Sequence, residues 1–136
     1  MRLEPLYSFT AVLRPQVIGA TPDGTRMDVE FEGDLDPGGR VTGHLKGVDY
    51  LTMRQDGVAH PHIHGVVTNP EGDVVAFNAT GLGVRASDGT LIGRFAFTFQ
   101  SASSKLAWLN GIVAFAEGKA DLNKGELTMS AYTLEE

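Results

Sequence analysis

Apolar and polar residues alternate one by one along most of this chain, which is the pattern of β-strands with one buried face. In the segment 27–32 every second residue is apolar and the residues between are acidic, and Phe95, Phe97 and Phe99 share one face of a later segment. No segment keeps an apolar period of 3.6 residues over ten residues, and only a short helical turn near 101–105 is expected. The alternation predicts strands near 3–14, 26–33, 40–45, 48–55, 58–68, 73–80, 91–100, 106–118 and 126–134.

Glycine supplies the turns between these strands. The chain has 17 glycines, many of them in Asp-Gly, Glu-Gly or Pro-Gly pairs that separate the alternating segments. Such pairs are strong hairpin signals, and their spacing implies long antiparallel strands. Several strands also mix apolar and polar residues on one face, which suits the lining of a lumen. We therefore expect a single all-β domain over residues 1–136, folded as a closed antiparallel β-barrel of about 8–10 strands. Its expected shape is that of a lipocalin or an allene oxide cyclase.

The composition of the chain limits the kinds of binding partner that are expected. The formal net charge is −6, from 17 acidic and 11 basic residues, and an acidic surface repels phosphate backbones. Apolar runs are short, so neither a signal peptide nor a membrane span is expected. The chain has no cysteine, which rules out disulfides and thiolate ligands and fits a cytoplasmic location. A small apolar ligand is the expected partner, with no nucleic acid and no membrane.

The strand His60-Pro61-His62-Ile63-His64 is the first candidate site. Residues i, i+2 and i+4 of a regular strand share a face, and histidine transfers protons near neutral pH. We expect His62 and His64 to point into the lumen beside Tyr50, Asp49 or Glu30 and to carry out acid–base catalysis, with His60 as a bystander near the turn. A glutamate with a raised pKa would make Glu30 a general base.

The same strand is a candidate metal site. Imidazoles two residues apart on one strand can chelate one ion, with His44 or Glu30 supplied by a neighbouring strand. Against this, no acidic residue follows the histidines at a cupin-like spacing, and Pro61 favours an edge or a bulge that would break the common face. We therefore expect no cofactor, and His60, His62, His64 and His44 are the candidate ligands if a metal is bound.

Four further residues are candidates for substrate binding. On the predicted strand 106–118, Trp108 and Asn110 share a face that offers a flat apolar surface beside a hydrogen-bonding amide. Phe97 lies on the phenylalanine face of its strand. Arg54 either binds a carboxylate bidentately or is a solvated residue at the rim, since it comes just before a turn.

Several ordered stretches resemble one bacterial family. They are 47–57 (GVDYLTMRQDG), 33–35 (GDL) after 28–31 (DVEF), 107–110 (AWLN) and the late Gly118, Gly125 and Tyr132. Together, from about residue 5 to residue 134, they resemble the DUF3237 (UPF0311) family of small β-barrel proteins. The resemblance implies a barrel fold, often in homo-oligomers, and a triple-histidine strand is not expected in a typical member.

The leading hypothesis is a small barrel enzyme that acts on a small apolar compound, aromatic or polyketide-like, by cofactor-free acid–base chemistry. Isomerisation, cyclisation, dehydration and hydration all fit. The first alternative is a barrel that binds a small molecule without catalysis. The second is a metal-dependent barrel enzyme that uses the histidines.

Overall fold

One antiparallel sheet contains all the strands and closes on itself. The computed structural model describes residues 1–136. Each strand pairs with its neighbours along the order β2-β1-β9-β8-β7-β6-β4-β3-β5, and further pairing of β2 with β3 and of β6 with β5 completes the ring. The strands are β1 Arg2–Thr21, β2 Gly24–Leu35, β3 His44–Met53, β4 Ala59–His60, β5 His62–Thr68, β6 Val74–Arg85, β7 Leu91–Gln100, β8 Val113–Asp121 and β9 Glu126–Glu135, with a 3₁₀ helix at Ala107–Gly111 between β7 and β8. The predicted closed all-β barrel is confirmed.

Glycine allows the hairpin turns, as the sequence indicated. Gly57, Gly72 and Gly89 have φ values of 84°, 90° and 87°, a region where residues with a Cβ are strained. The backbone N–H of each donates to the carbonyl oxygen three residues earlier, at 2.9, 3.0 and 3.0 Å. Each Asp-Gly or Glu-Gly pair therefore closes a tight turn between two strands.

Several predicted strand boundaries are wrong. β1 continues to Thr21 rather than ending at residue 14, and β6 continues to Arg85 rather than ending at residue 80. The predicted strands 40–45 and 48–55 are replaced by one continuous strand, β3, over His44–Met53, and residues 36–43 form a loop that contains Gly38 and Gly43 at positive φ. The segment 106–118 begins as a 3₁₀ helix, since the N–H groups of Leu109 and Ile112 bond to carbonyls three residues earlier. The periodicity of 106–112 was therefore misinterpreted as that of a strand.

The two ends of the barrel differ. We call the end that carries the β1–β2, β3–β4, β6–β7 and β8–β9 turns the turn end, and the opposite one the helix end. At the helix end the 3₁₀ helix presses Leu109, which is fully buried, and Leu106 against the core. The helix end is therefore plugged by apolar side chains. No helical segment of the structure is long and apolar enough to cross a lipid bilayer.

Aromatic rings fill the middle of the barrel where two strands carry glycine. Phe31, Gly47, Gly65 and Phe77 are paired in register across four strands. A Cβ at Gly47 would lie 2.6 Å from the Phe31 ring, and one at Gly65 would lie 2.5 Å from the Phe77 ring. Gly47 therefore does not interrupt β3; it provides the space that the phenylalanine ring occupies.

Candidate functional site

A cavity lies inside the barrel toward the turn end. Its volume is about 70 Å³, and its wall extends to Leu122 in the β8–β9 turn. Almost every residue that lines it is apolar, and Asp49 is the only ionisable one. Pockets of this kind, apolar with one polar group, are typical of small-molecule sites.

The cavity exists because four small residues share one row of the sheet. Ala59 pairs with Gly83, Gly83 with Gly93, and Gly93 with Gly118. All four line the cavity. Because none of them carries a side chain larger than a methyl group, the row leaves interior space, and the Phe95 ring takes the part of it beside Gly93. We call these four residues the small-residue row.

Asp49 reaches the cavity because it takes an inward position on β3. Leu45 and Leu51, on the same face, are buried in the core. The Asp49 side chain is partly buried, and its Oδ1 accepts a hydrogen bond from the backbone N–H of His62 at 3.0 Å. No other hydrogen bond to the carboxylate is present, so Oδ2 has no protein partner. The carboxylate is thus held by one oxygen, and the other is free.

Burial changes the acidity of this group. Loss of solvation raises the pKa of Asp49 to about 6, and the hydrogen bond from the His62 backbone opposes that shift. No cation lines the cavity to offset the desolvation. Near neutral pH the carboxylate is therefore largely ionised, yet it is more basic than an ordinary aspartate.

In the structure, the face of the histidine strand that points into the barrel is the opposite of the predicted one. Ala59, Pro61 and Ile63 are buried and line the cavity. His62 and His64 therefore lie exposed on the outer surface of the barrel, and His60, which is half-buried, lies on the same outer face. The expectation that His62 and His64 face the lumen is wrong. The reason is visible in the sequence, because the residues between the histidines form an unbroken apolar face.

Tyr50 and Glu30 also lie on the outer surface. Tyr50 is 39% exposed, with its ring centroid 6.2 Å from that of His64. The Arg26 guanidinium lies over the same ring at 5.5 Å. Glu30 is exposed and 3.5 Å from Arg14. Neither side chain reaches the cavity, so neither is brought together with Asp49.

Trp108 and Asn110 lie on the 3₁₀ helix rather than on a strand. Trp108 is 37% exposed and stacks under the Arg40 guanidinium at 4.6 Å. The Asn110 side chain accepts from the N–H of Ser101 at 2.7 Å and donates to its carbonyl at 3.0 Å. These contacts hold the 3₁₀ helix to the start of the β7–β8 connection and to the loop 36–43. The predicted shared strand face of Trp108 and Asn110 is therefore wrong, because the local hydrogen bonds are helical.

The remaining substrate-binding candidates divide between the rim and the lumen. Arg54 is an exposed residue after β3, and its guanidinium bonds to Asp56 at 2.5 Å. It is therefore a solvated rim residue, one of the two roles considered from the sequence. Phe97 is 1% exposed and lines the cavity, with its ring 5.6 Å from that of Phe77. Of the predicted catalytic and substrate-binding residues, Phe97 alone borders the lumen, together with Asp49, which was expected only as a neighbour of the histidines.

His44 lies between two carboxylates on the outside of the barrel. Its Nδ1 is 2.9 Å from Asp34 and its Nε2 is 2.6 Å from Glu32. These hydrogen bonds, the one to Asp34 first, raise the pKa of His44. His60 and His62 have their ring centroids 4.4 Å apart on another part of the outer face. No three histidine or carboxylate side chains converge in an arrangement that holds a metal ion.

From the sequence, His62 and His64 were favoured as the catalytic groups, and Asp49 was expected only as a neighbour of theirs. On β3, Asp49 is the single charged residue on an otherwise apolar face, a signal that was present in the alternation. A lone carboxylate on a core face is rare, because burial of an unpaired charge is costly. That rarity marks Asp49 as a candidate functional residue.

Fold and cavity together define the class: a small antiparallel β-barrel with an apolar lumen and one internal carboxylate. A family model described as protein of unknown function (DUF3237) matches residues 1–134. The chain belongs to the DUF3237 family, and the resemblance seen in the sequence is confirmed. No curated protein matches the chain.

Solved structures share the fold. A beta-barrel like protein from Acinetobacter baumannii AYE has 22% identity and a TM-score of 0.86, and the match covers 98% of this chain and 96% of that chain. A protein with unknown function from Clostridium acetobutylicum has 16% identity and a TM-score of 0.86, over 98% of this chain and 99% of that one. An enzyme from Penicillium herquei has 19% identity and a TM-score of 0.67, over 97% and 96%. At these identities the similarity establishes the fold alone.

Proposed function

We propose that the barrel is an enzyme that binds a small apolar molecule in its lumen and that Asp49 moves a proton on it. The observation that carries this proposal is the free, partly desolvated carboxylate oxygen of Asp49 in a cavity with no other ionisable group. Catalytic acids and bases are commonly found where burial has shifted a pKa toward the working pH.

The chemistry that fits is proton abstraction followed by proton return. The free Oδ2 of Asp49 accepts a proton from an acidic C–H or O–H of the bound molecule. The electron pair left behind shifts within the molecule, and protonated Asp49 then returns the proton to another atom. The net reaction is an isomerisation or an intramolecular cyclisation, and the proton count balances without a cofactor.

The neighbours of Asp49 support this role. The His62 N–H holds Oδ1 and so fixes the orientation of the carboxylate, which is a requirement for efficient proton transfer. The apolar wall limits the solvation of the carboxylate and so strengthens the electrostatic effect of a single charge. The same hydrogen bond could be formed by a neutral asparagine, so the charge itself needs a functional reason.

A second candidate function is binding without catalysis. It is favoured by one observation, that the lining holds no second polar side chain to act as a partner of Asp49 in acid–base catalysis. In that case the carboxylate would serve to orient a hydroxyl or an amine of the ligand. The third sequence hypothesis, a metal-dependent enzyme, has no three-ligand cluster to support it.

Isomerisation of cyclopent-3-enone to cyclopent-2-enone tests the proposal directly. This small ring ketone loses a proton beside the carbonyl and regains one at the far alkene carbon, and the conjugated product absorbs in the ultraviolet. We expect the wild-type protein to accelerate the reaction over buffer, and Asp49→Asn to lose at least 90% of that acceleration, since removing a general base typically costs 10²–10⁴-fold. Asp56→Asn, at an exposed carboxylate, is the matched control and should behave as wild type.

The outcomes separate the two candidate functions. Equal rates for wild type and Asp49→Asn would contradict the catalytic role. If the ring ketone nevertheless binds in the lumen, as judged by chemical-shift changes at the small-residue row, the binding function is the one supported.

A further inference from the structure

Gly83 lies near the end of β6 and is still paired with Gly93 of β7, so a glycine there needs a reason. It is buried, lines the cavity and belongs to the small-residue row. Glycine inside a strand lowers stability, because it contributes no side chain to the packing and loses more conformational freedom on folding. The atoms that surround each strand glycine therefore show whether a Cβ would fit there.

Neighbouring glycines have structural reasons. A Cβ at Gly81 would collide with the backbone carbonyl oxygen of Arg94, so two strands approach too closely for a side chain. A Cβ at Gly93 would collide with the ring of Phe95. In both places the glycine is required by an atom that already occupies the space.

Gly83 has no such reason. Its φ is not in the positive region, so its backbone conformation is open to any residue. The nearest atom to an added Cβ is the Cβ of Ala59 at 3.3 Å, followed by the carbonyl oxygen of Ile92 at 3.8 Å. Ala59 lies on β4, a strand of only two residues beside a turn, which can yield by a few tenths of an ångström. A methyl group therefore fits, and its absence preserves empty space in the cavity.

We infer that Gly83 is a specificity-determining residue of the lumen site, and that the space beside it receives a compact apolar group of the ligand. This inference rests on the proposed function of the lumen. Asp49 and Gly83 line the same cavity, so one molecule can place a polar group at the carboxylate and its apolar part against the small-residue row.

The size of the cavity limits the ligand. A dry cavity of about 150 Å³ is known to hold benzene. The present volume of about 70 Å³ is smaller. By proportion it suits a group of about three carbon atoms, and a single five- or six-membered ring requires the walls to move outward. An isopropyl-sized group meets this limit directly and a single small ring only after such widening, whereas a fused ring system exceeds it.

Cyclopentanol and cyclohexanol are suitable probes, because each combines a hydroxyl for Asp49 with a compact apolar ring. Binding is measured by ligand-observed NMR and melting temperature by calorimetry. We expect Gly83→Ala to weaken cyclopentanol binding at least tenfold and Gly83→Val to abolish it. The melting temperature of Gly83→Ala should equal that of wild type or exceed it by about 2–4 °C, because alanine restricts the unfolded chain and fills the void.

Two control variants define the structural alternative. Gly93→Ala should lower the melting temperature, because its methyl group collides with Phe95. Val84→Ala, at a neighbouring exposed position, should change neither binding nor melting temperature. The inference is overturned if wild type binds neither alcohol, if Gly83→Ala binds as wild type does, or if Gly83→Ala melts as low as Gly93→Ala.

These results remain distinguishable from a failure of the proposed function. If Gly83→Ala blocks cyclopentanol while Asp49→Asn isomerises cyclopent-3-enone at the wild-type rate, the space beside Gly83 is supported and the catalytic role of Asp49 is not. If only Asp49→Asn has an effect, the catalytic role stands and the specificity role of Gly83 fails.

Discussion

The carboxylate of Asp49 accepts a hydrogen bond from the backbone N–H of His62 at 3.0 Å, across the point where Pro61 separates β4 from β5. Proline has no N–H and interrupts the regular ladder between strands. The Thr80 hydroxyl donates to the Pro61 carbonyl at 3.2 Å, which satisfies a second backbone group at the same break. The irregular strand and the internal carboxylate therefore form one unit.

Replacing Asp49 by asparagine should stabilise the protein at neutral pH. The folded-state pKa of about 6 lies above the ordinary value of 3.8, so the folded protein holds this proton more tightly than the unfolded chain does. Wild type therefore loses stability relative to Asp49→Asn as pH rises from about 4 to about 6, and the difference is constant above that range. It should reach on the order of 2–3 kcal/mol at pH 7–8 and vanish near pH 3.5.

Urea unfolding of both proteins at several pH values measures this difference, since the other carboxyl groups contribute equally to both. A variant that is less stable than wild type at pH 8 would show that the charge of Asp49 has a structural role that the geometry does not reveal.

The outer histidines should be dispensable for the lumen site. His62→Ala and His64→Ala each remove an exposed side chain and leave the His62 backbone N–H in place for Asp49. Surface substitutions of this kind usually change stability by less than about 0.5 kcal/mol. We expect isomerisation rates and cyclopentanol binding within twofold of wild type. A tenfold loss of isomerisation rate or of cyclopentanol binding in either variant would show that these histidines take part in the site.

His44 should titrate above the ordinary histidine value. The hydrogen bonds that the His44 ring donates to Asp34 and Glu32 raise its pKa, so its contribution to stability is fully present below pH 6.5 and is lost as pH rises through the folded-state pKa. NMR titration of the imidazole measures the value in the folded protein. Asp34→Asn and Glu32→Gln should each lower it, and the titration curves of the other histidines should not move. An unchanged His44 curve in both variants would exclude the ion pairs in solution.

Trp108 should report on the outside of the barrel and not on the lumen. It is the only tryptophan, it is partly exposed, and its ring lies under the Arg40 guanidinium. Arg40→Ala should therefore shift its emission to longer wavelength, because the ring gains water. Saturating cyclopentanol should leave the emission of wild type unchanged. A spectral change with cyclopentanol alone would place the ligand at the helix end instead.

The fold was predictable because many positions along the chain independently indicate the same architecture. Alternation, turn glycines and strand length all indicated a closed barrel, and an error such as the split of β3 did not affect that conclusion. The common face of Phe95, Phe97 and Phe99 was also identified correctly, and the structure shows that it points into the barrel. The site was less predictable, because it depends on which face of each strand is buried. One wrong choice of face moves every side chain of a strand to the other side of the wall.

That choice explains why His62 and His64 were favoured over Asp49. Histidines drew attention by their chemistry, although the residues between them formed the more consistently apolar face. The small-residue row was beyond prediction, since Ala59, Gly83, Gly93 and Gly118 are far apart in sequence and meet only through strand register.

The apolar plug at the helix end closes the lumen on that side. Leu106 and Leu109 seal one side of the barrel, and the cavity wall extends to the turns on the other. A molecule that enters from the turn end must therefore leave by the same end, so a departing molecule and an arriving one compete for one passage. For an enzyme with such a site, accumulated product hinders the entry of new substrate. Turnover then slows as the reaction proceeds, even while substrate remains abundant.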